Sequence, residues 1–160
     1  QYLKFSTVTA PVEPPVVTPN NPMPWYDKAV AEIGVKEIRG SKHTPRIVEY
    51  HDATGLSAND DETAWCASFV SWALLKSGYK SLKTAWARDY TTYGTKLDKP
   101  VKGCIIVFER NSPGGDSHVT FYTGKDDGNK HLCVGGNQGN SVCIDGYSKK
   151  DVLAYRWPVK

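Results

Sequence analysis

The chain has no apolar run approaching the ~18 residues that a membrane-spanning helix needs, so no segment reads as a membrane span. It has no C-x-x-C pair, the usual framework of a structural zinc site, and His43, His51 and His131 have no metal-ligand spacing among them. A structural zinc site is therefore not expected. The lysines are scattered and the net charge is only +3, which argues against a nucleic-acid-binding patch but leaves weak attraction to an anionic polymer open. The run Gly135-Gly136-Asn137-Gln138-Gly139 lacks the Lys-Ser/Thr of a phosphate loop, so nucleotide binding is not indicated. No internal repeat is present. No signal peptide is visible and Gln1 is not a start methionine, so processing or truncation ahead of it is expected.

What the chain does have is enough for one domain: 160 residues, 39% of them hydrophobic and 11% aromatic, which suit a globular unit with a single core. Six of the ten prolines fall between Pro11 and Pro24. Residues 1–24 thus read as an extended linker or tail, and the domain, residues 25–160, begins near Trp25. Trp25, Ala29 and Ile33 recur at helical spacing, with Gly34 as the stop. Thr44-Pro45 opens a second helix that carries Ile47, Val48 and Tyr50 and ends before Gly55. A third runs from Cys66 to about Gly78 with Trp65, Phe69 and Trp72 on one stripe. Thr84 can cap a short fourth helix through Trp86 and Tyr90, ending at Gly94. After Pro100 the character changes to short β-type runs, 104–108, 119–122, 131–134, 142–144 and 152–155, separated by Gly, Asn and Asp turns. Helices followed by an antiparallel sheet give an α+β fold.

The chemistry concentrates in three places. Trp65-Cys66-Ala67-Ser68-Phe69-Val70 sets a cysteine at a helix start, just after the polar run Asn59-Asp60-Asp61-Glu62-Thr63. There, unpaired backbone N–H groups and the positive end of the helix dipole favour a thiolate. Downstream, His118 stands in the strand-like His118-Val119-Thr120-Phe121-Tyr122, and the amide-bearing Gly135-Gly136-Asn137-Gln138 follows. A thiol, an imidazole to take and return its proton, and an amide to hold the second ring nitrogen follow in the chain order of a papain-like thiol hydrolase. Between the two amides, strand alternation favours Asn137: Cys133, Gly135 and Asn137 would share one face. Gln138 is the rival. Asp60, Asp61 and Glu62 would raise the thiol pKa if they faced it, so they are expected to point at backbone N–H groups or basic neighbours. Asp61 and Glu62 read first as helix-start acids, with recognition of a substrate amine as the alternative. Trp65 and Trp72 read as core, whereas Trp86, Tyr90 and Tyr93 are candidates to line a groove. Of the four cysteines, Cys133 and Cys143 flank the Gly-Asn turn and could meet across a hairpin, although buried free cysteine is the commoner state in a strand.

These motifs together resemble the NlpC-type and CHAP (cysteine, histidine-dependent amidohydrolase/peptidase) superfamily of peptidoglycan hydrolases. The branch it is most similar to is found in phage lysins and cell-wall effectors. The resemblance rests on Asp61-Glu62-Thr63-Ala64-Trp65-Cys66-Ala67-Ser68-Phe69-Val70, His118-Val119-Thr120-Phe121-Tyr122-Thr123-Gly124 and Gly135-Gly136-Asn137-Gln138, and it covers about residues 25–158. The family's Gly-Asp before its first barrel strand is Gly103-Cys104 here. The resemblance implies a papain-like fold, with N-terminal helices and the nucleophile at a helix N-terminus packed on a C-terminal antiparallel sheet or small barrel. It implies Cys66 as nucleophile, His118 as base and acid, Asn137 as the third residue, no cofactor, and hydrolysis of an amide in the peptide stem of peptidoglycan through an acyl-enzyme. It further implies a monomer acting on the bacterial cell wall, in the periplasm or outside the cell, and a cognate immunity protein if it is an effector. Muramoyl–L-alanine and the link from D-glutamate to the diamino acid are the candidate bonds, the second being common among NlpC-type relatives. A non-catalytic wall-binding or phage structural module of the same fold, or a papain-like protein deamidase or transglutaminase, is the competing expectation.

Overall fold

The computed structural model describes residues 22–38, 44–54, 65–110 and 117–160. Helix α1 spans Pro24–Ala31, with proline in its first turn. Gly34, at φ +107°, ends the turn that follows, and Ile33, expected on the buried stripe, is exposed. Helix α2 spans Pro45–Asp52; the Thr44 hydroxyl does not cap it but donates to the Lys36 carbonyl. Helix α3 spans Cys66–Lys76. The fourth helical element is a 3-10 helix, Ala87–Thr92. The Thr84 hydroxyl precedes it, accepting from the Trp86 N–H at 3.1 Å and donating to Asp89 at 2.6 Å. Of the proline-rich segment, only residues 22–24 are described. Met23 is buried and packs over Gly103, where an added Cβ would lie 2.3 Å from the Met23 sulfur.

Six strands follow the helices: β1 (Thr95–Lys96), β2 (Ile105–Glu109), β3 (Ser117–Asp127), β4 (Lys130–Gln138), β5 (Ser141–Ser148) and β6 (Val152–Trp157). They form one antiparallel sheet in the order β1-β6-β2-β3-β4-β5. The two-residue β1 has no alternation to read from sequence. Period-2 alternation divides the sheet's side chains between two cores. Ile105, Val107, Val119, Phe121 and Val134 face the helices and join Trp25, Tyr50, Trp65, Phe69 and Trp72. Ile106, Phe108, Tyr122 and Cys133 face the other way, onto Leu97, Tyr147, Val152 and Tyr155. Burial on both faces is why β2 reads as an unbroken apolar run.

The second core exists because the sheet curls. Strands β2 and β5 are three places apart, ~14 Å in a flat sheet, yet the rings of Phe108 and Tyr147 have centroids 5.0 Å apart. Between β3 and β4, Asp126 is paired with His131. It accepts hydrogen bonds from His131 Nδ1 at 2.7 Å and the Tyr122 hydroxyl at 2.7 Å, while Lys149 lies at 3.0 Å. His131 is therefore a fully partnered core histidine.

Candidate active site

Cys66 is the first residue of α3, the position the sequence pattern assigned it. Trp65, just ahead of it, is buried, stacks on Tyr50 and donates from its indole nitrogen to Glu37 at 2.6 Å. The helix start is thereby tied to the segment 34–37, which runs beside β5: the Gly34 N–H bonds the Val142 carbonyl at 3.0 Å and the Glu37 N–H bonds that of Asn140 at 3.0 Å. Beneath the first turn of α3, His51 Nδ1 lies 2.9 Å from the Ser68 hydroxyl. Burial pushes the Cys66 thiol above its ordinary pKa; the backbone N–H of Val119, the charge of Arg110 and the N–H groups of Ala67 and Cys66 itself pull the other way. The sulfur therefore sits among backbone donors, one of them belonging to the residue after His118.

His118 is the second residue of β3 and is fully buried. Its Nε2 lies 3.0 Å from the amide oxygen of Gln138. The amide's orientation is fixed from behind, because its nitrogen donates to the carbonyls of Cys143 at 2.8 Å and Cys133 at 3.3 Å. With its oxygen turned to the ring, Gln138 can only accept, so neutral His118 carries its proton on Nε2. Nδ1 is left as the basic nitrogen, buried and without a hydrogen-bond partner among the described residues. Burial holds His118 at about 4, well below an ordinary histidine; the Gln138 bond and Asp145 act upward and Arg110 acts downward. With the thiol raised and the imidazole lowered, the resting pair is neutral. Tyr147 covers the ring, centroid to centroid 5.0 Å. Cys66 keeps 8% of its surface exposed, whereas His118 keeps none.

The expectation that Asn137 faces the ring is corrected. Strand β4 slips register between Gly135 and Gln138, and Asn137 takes a left-handed φ of +58°. One inserted residue reverses the parity of all that follow, which turns Gln138 onto the Gly135 side. The two glycines have separate functions. A Cβ on Gly135 would lie 2.4 Å from the Gln138 amide oxygen, so this position must be bare for the amide to reach His118. A Cβ on Gly136 would lie 2.7 Å from the Trp65 ring and 2.8 Å from the Phe69 Cβ, so this one lets β4 lie against the start of α3.

The remaining candidates separate. Asp60, Asp61 and Glu62 lie outside the described residues. Trp86 is 72% exposed. Tyr90 and Tyr93 do not line a groove; both are buried, with hydroxyls on Ser71 at 2.6 Å and on the Lys80 carbonyl at 2.7 Å. All four cysteines, Cys133 and Cys143 included, are free. Sequence reasoning missed Glu37, Tyr147 and Arg110. Only Arg110 left a signal, its place two residues past Phe108 at the end of the apolar run Ile105–Phe108.

The CHAP domain family matches residues 58–137, a span that holds Cys66, His118 and Asn137 and stops one residue short of Gln138. No curated protein matches the chain. Among solved structures, the peptidoglycan hydrolase RipB from Mycobacterium tuberculosis superposes with a TM-score of 0.51 at 18% identity, over 86% of this chain and 62% of that one. A protein described as similar to lipoprotein, NLP/P60 family, from Staphylococcus aureus superposes with a TM-score of 0.50 at 18% identity, over 94% of this chain and 46% of that one. At that identity the likeness is one of fold: helices carrying the cysteine packed on an antiparallel sheet carrying the histidine. The chain spans less than two thirds of the length of either.

Proposed function

Because the chain belongs to the CHAP domain family, we propose that it hydrolyses an amide bond in the peptide stem of peptidoglycan, with Cys66 as nucleophile, His118 as base and acid, and Gln138 as the residue that orients His118. His118 Nδ1 takes the thiol proton as the sulfur attacks the scissile carbonyl, and the C–S bond forms while the carbonyl electrons move to oxygen. Backbone N–H groups at the start of α3 are assigned to hold that oxyanion. The imidazolium then protonates the amine, the C–N bond breaks, and an acyl-enzyme remains. A water gives its proton to Nδ1, attacks the thioester and releases the carboxylic acid with the thiol restored. The neutral resting pair makes proton transfer part of the attack rather than its precondition.

One observation carries this reading: one ring nitrogen of His118 is buried and without a partner among the described residues, and the other is committed to an amide whose own orientation is fixed. The bond we assign is the one from D-glutamate to the diamino acid, cut at the bacterial wall in the periplasm or outside the cell, by a phage lysin or an effector whose producer would carry an immunity protein. The exposed indole of Trp86 is assigned to stack on the substrate.

The test is digestion of purified sacculi with mass spectrometry of the released fragments. The wild type should release peptides with a new amine on the diamino acid. Cys66→Ser, which keeps the shape and loses the thiolate, should be at least ~100-fold slower at unchanged melting temperature. A Cys66→Ser protein that cleaves normally overturns the mechanism, and intact sacculi after wild-type digestion overturn the activity.

A further inference from the structure

Arg110 follows directly on β2, whose pairing with β3 is regular from Ile105 opposite Phe121 to Glu109 opposite Ser117, with Phe108 opposite His118. Directly opposed residues share a face, and so do alternate residues along a strand. Arg110, two residues past Phe108, therefore continues the face that carries His118, one pleat repeat or ~7 Å further along. Its charge acts on Cys66, His118 and Tyr147, as this placement requires.

Two further features set Arg110 apart from a structural arginine. It is exposed, and no carboxylate pairs with it among the described residues. The acid beside it in sequence, Glu109, lies instead 3.7 Å from Arg88. An ordinary solvated surface arginine would look the same in isolation. Next to a nucleophile and its base, however, a fixed cation opposes formation of the imidazolium that the reaction needs. A guanidinium with two parallel donors and no carboxylate partner among the described residues suits a planar anion.

We propose that Arg110 is a specificity-determining residue that receives a free carboxylate on the acyl side of the scissile amide, three carbons from the attacked carbonyl. This rests on the hydrolase reading above and narrows it. A γ-linked glutamyl residue has such a group, its α-carboxylate, and a stem in which that carboxylate is amidated does not. The protein should therefore discriminate between the two stems by charge. An amide offers a guanidinium one neutral acceptor where a carboxylate offers two charged ones.

The experiment uses two synthetic stem peptides, L-alanyl-γ-D-glutamyl-diamino acid-D-alanine and its α-carboxamide counterpart, assayed with the wild type, Arg110→Gln and Arg110→Lys, beside a sacculus digest. The expected result is a wild-type preference for the carboxylate of at least ~10-fold in kcat/KM, mostly in KM. Arg110→Gln should abolish it and Arg110→Lys retain part of it, all three proteins melting alike because the residue is exposed. The loss in kcat/KM on the carboxylate peptide should exceed any change on the carboxamide peptide by at least ~10-fold. A wild type without preference, or Arg110→Gln that keeps it, overturns the inference. So does an equal loss on both peptides with a displaced pH profile of Cys66 alkylation, since that would make Arg110 a tuner of the thiol. A wild type that digests sacculi at another bond and leaves both peptides intact overturns the inference while sparing the hydrolase reading; one that cuts nothing overturns both.

Discussion

The amide oxygen of Gln138 lies 3.0 Å from His118 Nε2, and the amide nitrogen of the same side chain reaches the carbonyls of Cys143 and Cys133. Two backbone carbonyls on neighbouring strands thus decide which nitrogen of an imidazole is basic. The arrangement passes information from backbone to catalyst through one amide, and it makes the effects of the two adjacent amides separable.

Gln138→Ala should reduce turnover on peptidoglycan by ~10–100-fold, because both tautomers of His118 become available and the ring loses its tether. Asn137→Gly should leave turnover nearly unchanged, since the position asks for a left-handed backbone that glycine adopts freely. Steady-state rates with melting curves check both. A larger loss at Asn137 than at Gln138 would return the orienting role to Asn137.

His118 predicts the pH dependence of stability. In the unfolded chain a histidine titrates near 6.5, whereas the folded protein holds this one at about 4. Between those values the unfolded state binds a proton that the folded state refuses. The stabilisation is complete above pH ~6.5 and is lost as pH falls toward 4. At pH 5 the loss from this residue is about 2 kcal/mol relative to pH 7.5. Urea denaturation at both pH values, compared with His118→Gln, isolates it: the variant should lack that part of the pH dependence. Equal pH dependence in the two proteins would mean that His118 titrates normally.

Gly136→Ala should lower stability by about 1–3 kcal/mol, the usual cost of overpacking a core. The added methyl meets the Trp65 ring and the Phe69 Cβ, neither of which is the free end of a flexible chain. Because Trp65 precedes Cys66, turnover should fall as well. Thermal melting and the rate of Cys66 alkylation, measured on the same samples, would register the two effects, and an unperturbed melting temperature would show that β4 can move away from α3.

What the sequence made legible follows from how local each signal is. Cys66 at a helix start was readable because a polar run gives way to Trp65, Phe69 and Trp72 at helical spacing. His118 was readable because one histidine stands at the head of an apolar strand. The α+β order was readable from the change in periodicity after Pro100. Gln138 was ranked below Asn137 because the deciding quantity is a backbone angle at Asn137, and one inserted residue inverts an argument from alternation. Tyr147 was out of reach because it meets His118 only through the curl of the sheet. Glu37 was hidden for a similar reason: it meets Trp65 through a segment that pairs beside β5, about a hundred residues away along the chain.

The carbonyl of Cys143 has a consequence of another kind. The nucleophile, its helix and the base all precede the β4–β5 turn in the chain, but the amide that selects the base's tautomer is held from the far side of that turn. A nascent chain lacking β5 would have a thiol and an imidazole with one of the amide's two backbone acceptors missing. Nucleophilicity belongs to residues that are made early. The amide's full backbone anchorage belongs to the finished hairpin, so on the proposed mechanism the tautomer of the base is set only once β5 has been made.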